Sequence, residues 1–168
     1  MNNKHPADGK IIVRKTVDSD RESIIAIFKH YAATSYAAYP ELPVNDRFFD
    51  FLRDGTLAFY VLEREAYIVG FGLMKPFMLF PAFMATGMLT YFIRPEFTRL
   101  GLGEKLLDRL SDDATKMGMT SLVVNMASKN IPSIHFHKRH GFSEVGRLQD
   151  AGVKFGERFD VILMQKML

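Results

Sequence analysis

Cysteine and tryptophan are both absent from the 168 residues. The first absence excludes a disulfide framework, a thiolate metal site and a cysteine nucleophile. Charge of one sign does not accumulate either. The 22 Lys and Arg stand against 19 Asp and Glu, a formal net charge of +3, and the basic residues are scattered. A basic stripe for nucleic acid is therefore missing. The most apolar stretch, 77–89, is broken by Pro81 and Gly87 and is too short to span a bilayer. The opening MNNKHPADGK has no apolar h-region of the kind a signal peptide carries. Together these features predict a cytoplasmic protein with neither a nucleic-acid nor a membrane partner.

What is present fits one globular domain. Hydrophobic residues make up 48% and charged residues 24%, enough apolar content at this length for a single good core. The expected organisation is one domain over 1–168, with 1–10 as a flexible tail. IIVRKT (11–16) reads as a strand, and Asp18 or Ser19 can cap a helix carrying Ile24, Ile25, Ile27, Phe28 and Tyr31 at helical spacing. Residues 45–52 form a second short helix with Asn45 as its cap. Strands at 56–63 and 66–75 make a hairpin around Arg64 and Glu65. A strand at 88–94 stops at Pro95, a helix runs over 102–117 to a Gly118 cap, and 120–127 is again a strand. A short helix over 132–139 ends at Gly141, and strands near 142–149 and 158–167 close an α/β domain with a mixed sheet.

FTRLGLGEKLL (97–107) places Gly101 and Gly103 between a strand and a helix. Unpaired N–H groups of such a turn, with the helix dipole, make an anion site, and Arg99 adds a charge. The glycines alone do not separate a phosphate cradle from a structural turn. Position 106 is Leu, not the third glycine of a dinucleotide fingerprint, and no Gly-Lys-Ser/Thr follows for a Walker A loop.

Residues downstream separate the two readings. Asn130, Ser133, His137, Gly141 and Phe142 match N-x-x-A/S-x-x-x-Y/H-x-x-x-G-F, and Gly101 and Gly103 match the R/Q-x-x-G-x-G/A loop before it, with Thr98 at its first position. The chain thus resembles the GCN5-related N-acetyltransferase (GNAT) superfamily. Gly146, Lys154-Phe155-Gly156, Asp160 and Met164-Gln165 extend the resemblance to the phosphinothricin (methionine sulfoximine) N-acetyltransferase group. The resemblance implies a GNAT fold: a mixed, mostly antiparallel sheet flanked by helices, whose parallel fourth and fifth strands, 88–94 and 120–127, splay apart. It implies acetyl-CoA as co-substrate. Main-chain groups of Tyr91, Phe92 and Ile93 would line the pantetheine arm. Arg99, Leu100, Gly101, Leu102, Gly103 and Glu104 would wrap the pyrophosphate. Asn130, Ser133 and His137 would complete the cofactor contacts. No metal is implied, and the chain has no H-E-x-x-H or comparable ligand spacing. His137 has two readings, a catalytic donor to the departing thiolate or a buried structural imidazole.

Three departures from the group's pattern bear on function. Thr98 replaces the usual Arg or Gln of the loop. Met88 and Leu89 replace the Glu and His expected before the central strand, so neither supplies a base. KPFMLFPAFMAT (75–86) puts Met78, Phe80 and Met84 where cations are common. Tyr39 stands near the group's acidic position, with Glu41 two residues on. Glu41, Tyr39, Tyr91 and, through water, His137 are the remaining candidate bases. Tyr39, Phe77, Phe80 and Met88 are the expected acceptor contacts, although the 77–84 loop also suits a packed core or a homodimer interface. The expectation is an acetyl-CoA-dependent N-acetyltransferase for a small-molecule amine less anionic than phosphinothricin. An acyl-CoA-binding protein without turnover and a protein or peptide N-acetyltransferase are the alternatives.

Overall fold

The structure, a computed structural model, describes residues 9–39 and 44–168. Most of the expected tail, and Glu41, lie outside the described residues. The elements run β1 (Ile11–Lys15), α1 (Arg21–Thr34), α2 (Asp46–Arg53), β2 (Ala58–Arg64), β3 (Tyr67–Pro76), β4 (Thr86–Ile93), α3 (Leu102–Lys116), β5 (Ser121–Ala127), α4 (Ile131–Arg139), β6 (Ser143–Lys154) and β7 (Glu157–Met167). All seven strands form one sheet in the order β1-β2-β3-β4-β5-β7-β6, antiparallel except at β4–β5. The α/β fold expected from the sequence, with parallel fourth and fifth strands, is the fold observed.

Each face of the sheet buries one apolar layer. Leu102, Leu106, Leu107 and Leu110 of α3 and Ile134 of α4 pack with Leu62, Met74, Leu122 and Val124. On the opposite face Ile24, Ile27 and Phe28 of α1 and Phe49 of α2 pack with Val61, Phe71 and Leu73.

Some boundaries differ from the sequence reading, each for a local reason. The helix entry uses Asp20 instead of Asp18 or Ser19. Residues Asp18–Asp20 form a 3-10 turn, and the Asp20 carboxylate accepts from Val17 N–H at 2.9 Å and twice from Arg14, at 2.7 and 2.8 Å. The β2–β3 turn is Glu65-Ala66, one residue later than expected. Both residues have positive φ, 49° and 64°, the twist that a two-residue hairpin needs. β6 continues to Lys154 and turns through Phe155 and Gly156, also at positive φ.

The β4–β5 ladder positions the site. It has only three register pairs, Thr86 with Ser121, Gly87 with Leu122 and Met88 with Val123, and beyond Met88 the strands part. β4 remains paired to β3, with Phe77 N–H donating to Thr86 O and Arg94 N–H to Val69 O. Antiparallel alternation between these two bonds directs the peptides of the even-numbered residues to β3 and those of Leu89, Tyr91 and Ile93 into the opening. The same reasoning from Ser128 N–H to Asp160 O and Leu168 N–H to Thr120 O turns the peptides of Asn125 and Ala127 toward the opening from β5.

Candidate active site

The wedge between β4 and β5 offers a strand edge without a strand partner. Tyr91 and Ile93 present it, with the Ile93 carbonyl also accepting from Tyr31 O–H at 2.5 Å. Phe92 does not. Its peptide groups face β3, and its ring packs between Phe28 at 5.2 Å and Phe71 at 5.6 Å.

Past β4 the chain turns through Pro95–Phe97, and Thr98 closes that turn by donating its hydroxyl to Pro95 O at 2.8 Å. Arg99 (φ 63°) and Gly101 (φ 75°) both adopt left-handed backbone, and Gly101 is the N-cap of α3. A Cβ on Gly101 would meet nothing within 4 Å, so glycine is required there by conformation. The first α3 bond is Lys105 N–H to Gly101 O, which leaves the N–H groups of Leu102, Gly103 and Glu104 pointing out of the helix end. Gly103 has a different duty: its Cβ would sit 3.3 Å from the Phe136 ring, so it permits α3 to approach α4. The side chain of Leu102 is buried and that of Leu100 exposed. The Glu104 carboxylate reaches His140, 3.6 Å away.

Asn130 occupies the N-cap position of α4, yet its side chain makes no capping bond. Its amide is thereby left for another partner beside the wedge. The strand edge, the free amides of α3 and Asn130 together suit a ligand that carries amides at one end and phosphates at the other.

Ser133 and His137 meet at α4, one turn apart. His137 Nδ1 lies 2.7 Å from Ser133 O and 3.3 Å from Ser133 Oγ, and Nε2 lies 2.5 Å from Tyr91 O–H. A carbonyl only accepts, so Nδ1 carries the proton and Nε2 receives the Tyr91 hydroxyl. Burial holds the imidazole at a pKa of about 4. A neutral ring whose single proton is directed at Ser133 is arranged as a structural linker between α4 and β4. Burial also raises the Tyr91 phenol.

A stability consequence follows from the His137 shift. Its pKa falls from 6.5 in the unfolded chain to about 4 in the folded one. Unfolded chains therefore bind the proton first as pH drops. Stability is expected to decline between these values by up to about 3 kcal/mol and then level off. Urea titrations of the wild type and His137→Gln between pH 7 and 4 check this; an equal slope in both would refute it.

On the α1/α2 face of the wedge the structure joins Tyr39 and Met88 through a residue that the sequence reading missed. Asn125 accepts from Tyr39 O–H at 3.3 Å, and its Nδ2 faces Met88 Sδ at 3.8 Å. Asn125 is exposed although its neighbours in β5 are buried. A single amide among Leu, Val, Met and Ala was the available signal. Tyr39 stacks on Phe159 at 5.8 Å and 11°, and burial raises its phenol to about 12. Phe77 lies at the base of the β3–β4 loop, edge-on to Phe83. Phe80 is 67% exposed, and Met78, Leu79, Phe83 and Met84 are exposed with it, so this loop does not pack into the chain's own core.

A cavity of about 520 Å³ lies elsewhere, by the end of β1 and the C-terminal half of α3. Its wall includes Tyr60, which donates to Asp113 at 2.5 Å and accepts from Arg109 at 2.8 Å. These groups satisfy one another and do not face the wedge. Among the described residues no cluster of three or more His, Asp or Glu could hold a metal ion, and no helix is long and apolar enough to cross a membrane.

Comparisons with known proteins agree with this geometry. The family model described as Acetyltransferase (GNAT) family matches residues 24–142. An L-methionine sulfoximine/L-methionine sulfone acetyltransferase of Salmonella typhimurium is 29% identical over 167 residues, covering 93% of this chain and 94% of the relative. A phosphinothricin N-acetyltransferase of Alcaligenes faecalis is 29% identical over 161 residues, covering 93% and 82%. The yncA protein of Salmonella typhimurium, solved with its cofactor acetyl-CoA, superposes with a TM-score of 0.84 at 27% identity, covering 94% of each chain. With its splayed strands, its glycine-capped α3 and this match over most of its length, the chain belongs to the acetyltransferase (GNAT) family and is an N-acetyltransferase.

Proposed function

We propose that the protein transfers the acetyl group of acetyl-CoA to the amine of a small molecule that carries apolar surface and is less anionic than phosphinothricin. The peptide edge of Tyr91 and Ile93 supports the pantetheine arm as a substitute strand. Residues Arg99 to Glu104, through the N–H groups at the start of α3, hold the pyrophosphate. Asn130 contributes its uncommitted amide, while Ser133 and His137 fix Tyr91. The protein works as a single cytoplasmic domain, and the exposed apolar loop with Leu79 and Phe80 at its tip favours a homodimer.

One observation carries the acceptor assignment: among the described residues, the side chains that meet at the wedge mouth are uncharged. Met88, Asn125, Tyr39 and Phe159 meet there, and the groups that hydrogen-bond or stack with them are uncharged. A phosphinate or a second carboxylate calls for charge-assisted donors. Acetyl-CoA supplies the activated thioester; the amine nitrogen forms a bond to its carbonyl carbon as the C–S bond breaks. Among the described residues, the candidate bases give little help with the amine proton. His137 at a pKa of about 4 and Tyr39 at about 12 are both poor acceptors near neutrality. The acceptor therefore enters as the free base and loses its proton to water.

Thiol release measured with L-methioninamide, L-phenylalaninamide and phosphinothricin, at several pH values, tests this reading. The two amides are expected to exceed phosphinothricin in kcat/KM by at least about tenfold. Each profile should follow the ionisation of its own amine, and no further inflection should stay fixed when an amine of different pKa is used. Comparable rates with phosphinothricin would overturn the acceptor assignment. Tight acetyl-CoA binding with no turnover of any amine would favour the acyl-CoA-binding alternative.

A further inference from the structure

We infer that Asn125 and Tyr39 form the polar handle that orients the acceptor amine, and that Gly152 and Lys154 hold this handle in place. This assignment rests on the acetyl-transfer reading given above.

Asn125 lies two residues beyond the last β4–β5 pair, Met88 with Val123, and so stands where the wedge opens. Its side-chain bonds are incomplete. Oδ1 accepts one bond, from Tyr39 at 3.3 Å, and Nδ2 faces only a thioether at 3.8 Å. An amide has two donor hydrogens and two acceptor lone pairs, and sulfur is a weak acceptor. One lone pair and a strong N–H donor are therefore left toward the mouth. The orientation of the amide follows from its neighbours, because the reverse would set Oδ1 against the sulfur lone pairs.

This inventory matches one class of acceptor. A free-base primary amine has two N–H donors and a lone pair that must reach the thioester carbon. Donating one N–H to Asn125 Oδ1 leaves the lone pair free. Asn125 Nδ2 then donates to an oxygen one or two atoms from the amine, such as a carbonyl. Met88 and the aromatic rings provide an apolar wall for the rest. The acceptor class is an α-amino carbonyl compound with an uncharged apolar side chain.

The handle is held from behind. The Tyr39 ring stacks on Phe159, which lies over Gly152 so closely that a Cβ there would fall 2.2 Å from the ring. The segment before Tyr39 is tied to the end of β6 by the buried Lys154, whose ammonium donates to Ser35 O at 2.7 Å and Ala38 O at 2.5 Å. The raised phenol keeps Tyr39 protonated, and so a donor, across the working pH range.

The test uses the full chain with L-methioninamide as probe. Calorimetry gives the affinity for acetyl-CoA and, separately, the affinity of the enzyme saturated with CoA for the amide; steady-state kinetics give kcat and KM. Asn125→Leu is expected to weaken amide binding by at least about tenfold and to lower kcat/KM by about thirtyfold. Its acetyl-CoA affinity should stay within about twofold of wild type, since no backbone donor is altered. Tyr39→Phe should lose about threefold to tenfold, mainly in KM. Asn125→Leu with unchanged amide affinity and kcat/KM would overturn the inference, as would a wild type that fails to bind the amide beside CoA. Amide binding lost in Asn125→Leu would sustain the handle even if the wild type turned over no amine, an outcome that would sink only the acetyl-transfer reading.

Discussion

Replacing Gly101 with valine is expected to weaken acetyl-CoA binding by about a hundredfold while leaving the protein folded. The residue sits at φ 75° and ψ 5° as the N-cap of α3. A Cβ there meets no neighbour, so the effect does not come from a clash in the core. It comes from the backbone, since a β-branched residue at positive φ costs about 2 kcal/mol or more. The turn relieves that strain by leaving the left-handed region. The N–H groups of Leu102, Gly103 and Glu104 then no longer converge on one point, and charge-assisted bonds are each worth about 1.5–3 kcal/mol. Gly101→Asn separates conformation from space, because asparagine tolerates left-handed backbone. It should retain more affinity than valine even though it also carries a side chain. Calorimetry with acetyl-CoA, with thermal melts as a folding control, gives the answer. Wild-type affinity in Gly101→Val would remove the loop from the cofactor site.

Lys154→Ala should destabilise the protein by about 4 kcal/mol in urea unfolding. The side chain is 1% exposed, and its ammonium satisfies two main-chain carbonyls of the segment after α1 while lying 4.9 Å from the Phe155 ring. Truncation leaves a cavity and removes the donor from Ser35 O and Ala38 O together. Lys154→Met divides the two effects: it restores most of the volume without the donor, and should recover about half of the loss. Both variants should also raise KM for the amine, because the segment that carries Tyr39 loses its tether to β6. A loss below about 1 kcal/mol for the alanine variant would mean that the segment is held by other contacts.

The two halves of the proposed site differ in how far the sequence discloses them. The cofactor half is local. Gly101 and the first turn of α3 act through backbone geometry that a few consecutive residues set, and Asn130 is placed by its N-cap position on α4. Even there, the sequence showed only part of what Gly103 does. A glycine chosen for its approach to Phe136, 33 positions away in the chain, looks in sequence like one chosen for a phosphate. The acceptor half is assembled from afar. Tyr39, Met88, Asn125 and Phe159 come from four separate segments, and nothing short of the strand order β4-β5-β7 sets them together.

His137 marks the same boundary. Its place in the motif suggested either a donor or a structural ring, and it is the Tyr91 hydroxyl on Nε2 and the Ser133 carbonyl on Nδ1 that favour the structural one. By itself, the sequence determined the elements, because apolar period and capping act within a few residues; it also determined the glycine turn before α3, whose outward N–H groups belong to the backbone. The tertiary structure alone decided which side chains face the wedge mouth. Burial, tautomer and hydrogen-bond partner depend on contacts between strands and helices that are distant in the chain.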